Sequence, residues 1–544
     1  MAELLLNIQN LRVNIKGSHQ PLIKDINLTI ERGESIALVG ESGGGKSLTA
    51  LAIMQLLPTV ARIDSNSRIL LGQQDLLDLP EVAMRKIRGR RIALISQEPM
   101  SAFNPVMTIG EQMGEVVRLH LHKRGKAEIR CVIELLESVG LSEPERCYHQ
   151  YPFQLSGGML QRVMIAMAIT AKPDLLIADE ATTSLDVTIQ AQILDLLHKL
   201  RQETGMSILF ITHDLALVKY MAQRIFIIKS GEIVEQSTVE QFFKEPQHPY
   251  SRELLQNTLH RYDPAMRKET SDILIDDMSQ SSQKILLSVK QLKVHFPIHK
   301  GFFKRVVGSV KAVDDISFEL KIGKTLAIVG ESGSGKTTVG KAILQLIHAN
   351  AGSILFDNKN LSELSWRELH KVRKDLQIIF QDPFSAMDPR MMVGEIIAEG
   401  MVALGLVKSE QDLQNRIDEL LVQVQLPMNF KHRYPHEFSG GQRQRICIAR
   451  ALAVSPRLIV CDEPTSALDV TAQMNILQLL KRLQKELGLA YLFITHNLAV
   501  VGYLAHEVAV MHHGRIVEHG SVSQILTAPR HAYTQSLLNS AVFV

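Results

Sequence analysis

Short apolar runs alternate along the chain with longer stretches that mix apolar and polar residues. The runs include "ESIALVG", "LLIADE", "SILFITH" and "RIFIIKSG", which are rich in β-branched residues. Such runs are typical of strands buried on both faces of a parallel sheet. The stretch "TIQAQILDLLHKLRQETG" has the spacing of an amphipathic helix and closes on a glycine suited to a helix end. Alternating strands and helices predict an α/β fold with a mostly parallel sheet.

The same series of motifs occurs twice. "VGESGGGKS" at 39–47 is matched by "VGESGSGKT" at 329–337. "LSGGMLQR", "LLIADEATTSLDVT" and "LFITHDLALV" are matched by "FSGGQRQR", "LIVCDEPTSALDVT" and "LFITHNLAVV", each 283 residues later. A constant offset indicates a tandem duplication. We therefore predict two domains, 1–260 and 285–544, separated by a polar linker or extension at 261–284.

Composition limits the classes of function. The 60 basic and 57 acidic side chains leave a formal charge of +3, which does not favour nucleic acid as a partner. The four cysteines lack Cys-x-x-Cys spacing and are expected to be buried in a reducing compartment. We find no signal-peptide pattern and no apolar stretch near the roughly 18 residues that cross a bilayer. We expect a cytoplasmic chain, so that any membrane it serves is crossed by another polypeptide.

Both glycine loops satisfy G-x-x-x-x-G-K-[ST] and follow a predicted strand. Glycines allow backbone N–H groups to surround a phosphate, and the following helix adds its positive end. The lysines are expected to neutralise the β and γ phosphates, and Ser47 and Thr337 to ligate Mg²⁺. The alternative, a glycine turn without a ligand, is remote for two copies that each follow a strand. The predicted nucleotide-binding residues are Gly40, Glu41, Ser42, Gly43, Gly44, Gly45, Lys46, Ser47, Gly330, Glu331, Ser332, Gly333, Ser334, Gly335, Lys336 and Thr337.

Pairs of acidic residues end one apolar run in each copy, at the predicted carboxyl edge of the sheet. Asp179 and Asp462 suit Mg²⁺, directly or through water. Glu180 and Glu463 suit polarisation of the attacking water. Two solvated loop acids would be the default interpretation of a single pair, but both pairs lie 33 residues before a histidine.

Histidine and glutamine side chains end two further runs. His213 and His496 are expected to bind the γ phosphate or the attacking water, rather than to serve only in packing. Gln97 and Gln381 carry an uncharged amide that can ligate Mg²⁺ and swing away. We predict that these glutamines contact the nucleotide and the metal and sense their presence.

A second anion-binding device occurs in each copy, because a Ser-Gly-Gly turn opens a predicted helix. One nucleotide does not need two such devices from one domain. We therefore expect each turn to serve the nucleotide held by the other copy, with the copies arranged head to tail. The residues concerned are Ser156, Gly157, Gly158, Ser439, Gly440 and Gly441.

The order of these motifs resembles that of the ATP-binding cassette ATPases over nearly the whole chain. "QEPMSAFNP" and "QDPFSAMDP", together with the tails "QHPYSRELL" and "PRHAYTQSLL", resemble the peptide and nickel branch of bacterial importers. The resemblance implies two tandem P-loop NTPase domains, each with a mostly parallel sheet and a helical signature subdomain. It implies hydrolysis of ATP with Mg²⁺ at two composite sites, each of which joins one copy's loop to the other copy's signature.

The resemblance also implies finer details of the sites. It extends the second phosphate loop to Thr338 and assigns adenine stacking to Phe296, where the first copy has Ile15. The first copy departs from the family pattern at Met159-Leu160 and Ala181 without losing a catalytic group, so two competent sites are expected. Some ATPases of this branch carry an iron–sulfur cluster, which is not expected here because no cysteine lies between 148 and 446.

The partners implied are two transmembrane permease subunits and, indirectly, an extracytoplasmic peptide-binding protein. The chain would then lie peripherally on the cytoplasmic face of the bacterial inner membrane. Six apolar residues beyond the glutamines are predicted to contact the permeases, with the alternative that the methionines belong to the core: Met100, Phe103, Met107, Phe384, Met387 and Met391.

Two other classes of protein remain as alternatives. Soluble two-cassette ATPases act on ribosomes, but they have a long, charged linker that this chain lacks. A kinase-like phosphotransferase would use the glycine loop but not the Ser-Gly-Gly turn. We expect the motor of an importer, with peptide preferred over nickel as cargo.

Overall fold

The computed structural model describes residues 3–17, 20–41, 43–182, 187–262, 284–300, 305–466 and 468–542. It divides into two compact units, of which the first is built mainly from residues up to 258 and the second mainly from residues after that position. The segment 263–283, which forms most of the predicted linker, lies outside the described residues. The character of the linker therefore stays a prediction.

The first unit contains eleven strands and eleven α-helices among its described residues. The strands are β1 (Leu4–Ile15), β2 (Ile23–Glu31), β3 (Ser35–Val39), β4 (Ala61–Ile63), β5 (Arg68–Leu71), β6 (Gln74–Asp75), β7 (Ile92–Ile95), β8 (Leu175–Asp179), β9 (Ser207–Thr212), β10 (Arg224–Lys229) and β11 (Glu232–Thr238). The helices are α1 (Lys46–Ile53), α2 (Glu81–Ile87), α3 (Pro99–Ala102), α4 (Ile109–Leu121), α5 (Lys126–Ser138), α6 (Pro144–Tyr148), α7 (Gly157–Ile169), α8 (Val187–Thr204), α9 (Leu215–Met221), α10 (Val239–Lys244) and α11 (Pro249–Tyr262).

The main sheet of the first unit has six strands in the order β11-β10-β3-β9-β8-β7. Neighbours from β10 to β7 are parallel, and only β11 is antiparallel to its neighbour. Every residue of β3, β8 and β9 is buried, which explains their continuous apolar runs. The α/β prediction with a mostly parallel sheet is confirmed.

Successive residues of β9 face opposite cores, as the pleat of a strand requires. Ile208 and Phe210 pack in the core that includes the helical region α4–α7. Leu209 and Ile211 pack in the core that includes α1 and a second, antiparallel sheet. This second sheet, which was not predicted from the sequence, has the order β2-β1-β5-β6, with β4 paired to β1.

The second unit repeats most of these elements among its described residues. Its strands are β12 (Ile285–Lys300), β13 (Arg305–Lys321), β14 (Thr325–Val329), β15 (Ala351–Phe356), β16 (Lys359–Asn360), β17 (Leu376–Ile379), β18 (Leu458–Asp462), β19 (Ala490–Thr495), β20 (Glu507–His512) and β21 (Arg515–Ser521). Its α-helices are α12 (Lys336–Ile343), α13 (Trp366–Val372), α14 (Val393–Ala403), α15 (Glu410–Gln423), α16 (Gly440–Leu452), α17 (Val470–Leu487), α18 (Leu498–Leu504), α19 (Val522–Thr527) and α20 (Ala532–Val542).

The order of the main sheet in the second unit is β17-β18-β19-β14-β20-β21, the same arrangement as in the first unit. Its parallel strands β14, β18 and β19 end at one edge, at Val329, Asp462 and Thr495. Loops that follow such strands meet at this edge, where ligands of α/β sheets commonly bind. The four cysteines are buried, as expected.

Candidate functional site

The glycine loops connect β3 to α1 and β14 to α12, in the order strand, loop, helix that the sequence predicts. Gly45 and Gly335 cap the two helices in the left-handed region, at φ 102° and 103°. A Cβ on Gly40 would lie 2.2 Å from the Ile228 carbonyl oxygen, and one on Gly330 would lie 2.1 Å from that of Met511. Both loops therefore lie against the backbone of the neighbouring strand in the sheet, β10 or β20, and require glycine there.

The loop lysines are buried inside their own loops, each with about 4% of its surface exposed. Lys46 Nζ donates hydrogen bonds to the carbonyl oxygens of Gly40 at 2.9 Å and Glu41 at 3.0 Å. Lys336 Nζ does the same to Gly330 at 2.7 Å and Glu331 at 2.8 Å. Each loop thus combines a fixed ammonium group with the N-terminal end of a helix, which suits an anion.

The residue after each lysine reaches the aspartate that ends a neighbouring strand. Thr337 Oγ1 donates to Asp462 Oδ1 at 2.9 Å, and Ser47 makes the corresponding bond to Asp179. Burial raises the pKa of both aspartates; these bonds oppose the rise, and the adjacent glutamates add to it.

The buried Oδ1 atom of Asp179 has no hydrogen-bond partner among the described residues. A buried carboxylate oxygen that has no hydrogen-bond partner and lies beside a hydroxyl group fits a hard divalent cation such as Mg²⁺.

The first catalytic candidate, Glu180, follows β8 in the left-handed conformation, at φ 48°. Its backbone N–H donates to the Ile211 carbonyl oxygen at 2.9 Å, which holds this unusual geometry. Its carboxylate accepts a hydrogen bond from Gln97 Nε2 at 2.8 Å and lies 3.3 Å from His213 Nδ1. Lys46 Nζ lies 3.8 Å from the same carboxylate. Three predicted site residues from three other motifs therefore meet around this glutamate.

The second copy has the same cluster. Glu463 has φ 46°, and its carboxylate lies 3.1 Å from both Gln381 Nε2 and His496 Nδ1. Burial alone would raise the pKa of Glu463, but His496 and Lys336 outweigh it and lower this pKa below its ordinary value. This glutamate is consequently ionised at neutral pH, as a group that accepts a proton must be.

The Ser-Gly-Gly turns open α7 and α16, as predicted. Ser156 and Ser439 cap these helices by accepting hydrogen bonds from the N–H groups of Met159 at 3.3 Å and Gln442 at 3.4 Å. The glycines that follow form the first turns of the helices. A Cβ on Gly158 would lie 2.7 Å from the Ile189 side chain, so this glycine permits close packing against α8. The pairing of each turn with the other copy's nucleotide stays a prediction.

The remaining site predictions have mixed outcomes. Phe296 lies on β12 with 44% of its surface exposed, a position open to an adenine ring. Phe103 and Met387 are buried in the cores, so contact of these two with permeases was the wrong alternative, whereas Met100 and Phe384 are about half exposed. Met107 is partly buried, and Met391 packs partly buried against a core. Ser42 lies outside the described residues.

Two tyrosines of the site were not predicted from the sequence. Tyr250 and Tyr533 contact the phosphate loops through hydrogen bonds to Glu41 and Glu331. Both lie in the tails that served only as family markers. Their recurrence is the signal that could have identified them, since each tyrosine directly follows a His-Pro or His-Ala pair.

Comparisons with known proteins agree with this geometry. The sequence profile of the ABC transporter family matches residues 23–183 and 313–466. The profile of the oligopeptide/dipeptide transporter C-terminal region matches 234–276 and 517–543. The chain is 46% identical over 539 residues to the peptidoglycan transport ATP-binding protein YejF of Agrobacterium fabrum, covering 99% of this chain and 96% of that protein. It is 42% identical over 557 residues to the glutathione import ATP-binding protein GsiA of Pectobacterium atrosepticum, covering 98% and 89%.

Among solved structures, the chain is similar to a dimeric post-hydrolysis state of the ATP-binding cassette MJ0796 bound to ADP and Pi. This match has 28% identity and a TM-score of 0.40, and it covers 43% of this chain and 98% of that one. Within the described ranges, no helix has both the length and the apolar character needed to cross a membrane. Neither relative supports the ribosomal alternative, because both are transport ATP-binding proteins. The chain belongs to the ABC transporter family and is an ATP-hydrolysing subunit with two fused cassettes, each followed by an oligopeptide/dipeptide-type C-terminal region.

Proposed function

We propose that this chain is the motor subunit of a bacterial importer of peptides or peptide-like solutes, and that it hydrolyses ATP at both cassettes. One observation carries the proposal. Each copy holds a complete cluster of lysine, glutamine, glutamate and histidine in front of an oligopeptide-type tail. The names of the relatives, which specify peptidoglycan transport and glutathione import, support a cargo that contains peptide bonds.

The chemistry follows from the side chains of the cluster. Glu180 and Glu463 accept the proton of the attacking water, and His213 and His496 hold that water or the γ phosphate in line. The neighbouring histidine and lysine keep Glu463 ionised. Glutamine binds the glutamate in each copy, so a change at Gln97 or Gln381 alters the base directly.

Mg²⁺ has a candidate set of ligands in each copy. Ser47, Asp179 and Gln97 would hold the ion in the first copy, and Thr337, Asp462 and Gln381 would hold it in the second. When bound, the ion neutralises charge on the phosphate oxygens during their transfer. The raised pKa of both aspartates fits this role, because a cation would stabilise their buried charge.

Import requires partners that cross the membrane. We propose two permease subunits and, indirectly, an extracytoplasmic peptide-binding protein, with this chain on the cytoplasmic face of the inner membrane. Met100 and Phe384 follow the glutamines and are 53% and 48% exposed, so they offer apolar contacts to a permease. A shift at the glutamine would reach these residues through two or three residues of backbone.

The catalytic assignment is tested by removing the two bases. Glu180→Gln and Glu463→Gln together should lower steady-state hydrolysis by about a hundredfold or more while ATP still binds, because general bases contribute at least that factor. The matched control is Glu143→Gln with Glu419→Gln, which alters two exposed glutamates that pair with arginines. Undiminished hydrolysis in the first double variant would show that another group is the base.

The transport assignment needs a separate measurement. The full chain, purified from detergent-solubilised membranes, should bring with it two integral-membrane proteins and hydrolyse ATP faster when peptide is supplied to the reconstituted complex. Co-sedimentation with ribosomes in the absence of integral-membrane partners would contradict the proposal.

A further inference from the structure

Each cassette is followed by a helix whose first turn carries a tyrosine that reaches the phosphate loop. Tyr250 lies in α11 and Tyr533 in α20, within the C-terminal regions of the oligopeptide type. The Tyr250 hydroxyl oxygen accepts a hydrogen bond from the Glu41 backbone N–H at 3.1 Å. The Tyr533 hydroxyl oxygen accepts one from the Glu331 N–H, also at 3.1 Å. The recurrence of this contact in both copies indicates a purpose beyond local packing.

The tail of the first copy is held in place by side chains that accept hydrogen bonds from its backbone N–H groups, an arrangement that we call the buttress. Glu235 on β11 accepts hydrogen bonds from the N–H groups of Gln247 at 3.0 Å and His248 at 2.8 Å. His248 Nδ1 in turn accepts from the Tyr250 N–H at 3.2 Å. Tyr250 itself is 3% exposed, and the Lys229 ammonium lies 4.3 Å from the centre of its ring. The hydroxyl group is therefore presented to the loop from a fixed position.

The second copy builds the same buttress. Glu518 on β21 accepts hydrogen bonds from the N–H groups of Arg530 at 2.8 Å and His531 at 3.1 Å. His531 Nδ1 accepts from the Tyr533 N–H at 3.2 Å. The ring of Tyr533 stacks on His512, with the ring centres 3.9 Å apart. The side chain that faces the tyrosine is thus a lysine in one copy and a histidine in the other.

The residue that the tyrosine holds is also the residue that holds the loop lysine. The carbonyl groups of Gly40 and Glu41 both accept hydrogen bonds from Lys46 Nζ, while the N–H of Glu41 donates to Tyr250. One short peptide segment is therefore fixed on one side by the tail and on the other by the lysine. A rotation of the peptide unit between Gly40 and Glu41 would break both contacts, because its N–H and its C=O belong to the same rigid plane.

We propose that Tyr250 and Tyr533 are positioning residues that set the phosphate loops, and through them Lys46 and Lys336, for nucleotide binding. This inference rests on the proposed placement of ATP at the two glycine loops. In these terms the C-terminal region is a structural part of each nucleotide site, so a change in the tail alters affinity for ATP. The effect is expected mainly in binding, because each tyrosine acts through the backbone of its phosphate loop.

The test uses the full-length chain with hydroxyl groups removed one at a time. Tyr250→Phe keeps the ring and its packing, and it should weaken Mg-ATP binding at the first site by about two- to tenfold, the range for one neutral hydrogen bond. KM for ATP should rise by a similar factor while kcat changes little, as expected when ground-state and transition-state binding are lost together. Tyr533→Phe should do the same at the second site.

Each site is read separately by silencing the other. Binding of radiolabelled ATP is measured with Tyr250→Phe in a Lys336→Ala background and with Tyr533→Phe in a Lys46→Ala background. The matched control is Tyr491→Phe, which removes a buried hydroxyl that donates to the Leu480 carbonyl at 3.0 Å. The first copy has Ile208 at the equivalent position, so this hydroxyl is dispensable to the fold. Thermal unfolding of each variant separates a loss of affinity from a loss of folded protein.

The outcomes distinguish the inference from the function on which it rests. Weaker binding by both tyrosine variants, with unfolding midpoints no lower than that of Tyr491→Phe, supports the inference. Wild-type affinity in both tyrosine variants overturns it, provided that Lys46→Ala and Lys336→Ala each remove binding at one site. If the lysine variants themselves bind ATP like wild type, the proposed nucleotide sites are wrong instead.

Discussion

Alanine at the last glycine of each phosphate loop should have unequal effects in the two copies. Gly45 and Gly335 have the same left-handed conformation, so alanine introduces a backbone strain of about 1–2 kcal/mol at either position. Their surroundings differ. A Cβ on Gly45 would have its nearest neighbours at 3.5 Å, whereas one on Gly335 would lie 2.0 Å from the Ala312 carbonyl oxygen. That overlap forces the backbone to move and adds about 1–3 kcal/mol.

The expected total is therefore about 1–2 kcal/mol for Gly45→Ala and about 2–5 kcal/mol for Gly335→Ala. For domains of this size, 1 kcal/mol lowers the unfolding midpoint by about 2–4 °C. Gly335→Ala should therefore lower the midpoint of the second unit by about 4–20 °C, and Gly45→Ala should lower that of the first unit by about 2–8 °C.

The chain offers a probe that belongs to one unit. Its single tryptophan, Trp366, lies on α13 and stacks on His370, with ring centres 5.3 Å apart. Tryptophan fluorescence during thermal unfolding reports on the second unit, and circular dichroism reports on both. Gly335→Ala should shift the fluorescence transition, and Gly45→Ala should leave it unchanged. Equal shifts of the unfolding midpoints of the two units, or a larger shift from Gly45→Ala, would show that contact with Ala312 does not determine the loss of stability.

Two further predictions concern charge. Burial lowers the pKa of His506 from 6.5 to about 4, so the folded state resists protonation and the second unit loses up to about 3 kcal/mol as the pH falls from 6.5 towards 4. His506→Gln should remove most of this loss of stability, because glutamine does not titrate and can keep the hydrogen bond. His506 accepts from the Thr325 N–H at 3.1 Å, and Gln223, its equivalent in the first copy, accepts from the Ser35 N–H at 2.7 Å. Acid unfolding followed by Trp366 fluorescence measures it, and an unchanged pH dependence in the variant would assign the effect to other groups. Lys46→Ala and Lys336→Ala should each weaken ATP binding at one site, measured by titration with ATP under non-hydrolysing conditions. Loss of binding at both sites from one substitution would contradict the assignment of one lysine to each site.

Much of the fold and of the site could be predicted because the informative residues end strands. Asp179, Glu180 and His213 follow continuous apolar runs, and parallel strands bring such positions to one edge of the sheet. The repetition of every motif then removed the ambiguity of each motif alone. The helix that opens at the Ser156-Gly157-Gly158 turn could be predicted from the local pattern, whereas the helical subdomain was expected from the family resemblance.

Other features depend on contacts that no local pattern encodes. The bond from Glu41 to Tyr250 joins residues 209 positions apart, so neither segment signals the other. Phe103 and Met100 share one short apolar motif, yet one is 5% and the other 53% exposed, because only the folded chain decides which side chain faces the core. The antiparallel sheet was not predicted because its strands do not end at reactive residues, although β1 alternates in the manner of a strand.

The left-handed conformation of Glu180 and Glu463 introduces backbone strain at the two residues that are proposed to act as catalytic bases. Glycine would adopt φ 48° or 46° without the strain of about 1–2 kcal/mol that a side chain introduces there, at an entropic cost of only about 0.5–1 kcal/mol. It would also remove a buried carboxylate from each cluster. Glycine at either position would thus relax the backbone but remove the carboxylate that glutamine and histidine contact, so the strained backbone persists because turnover of ATP needs the side chain.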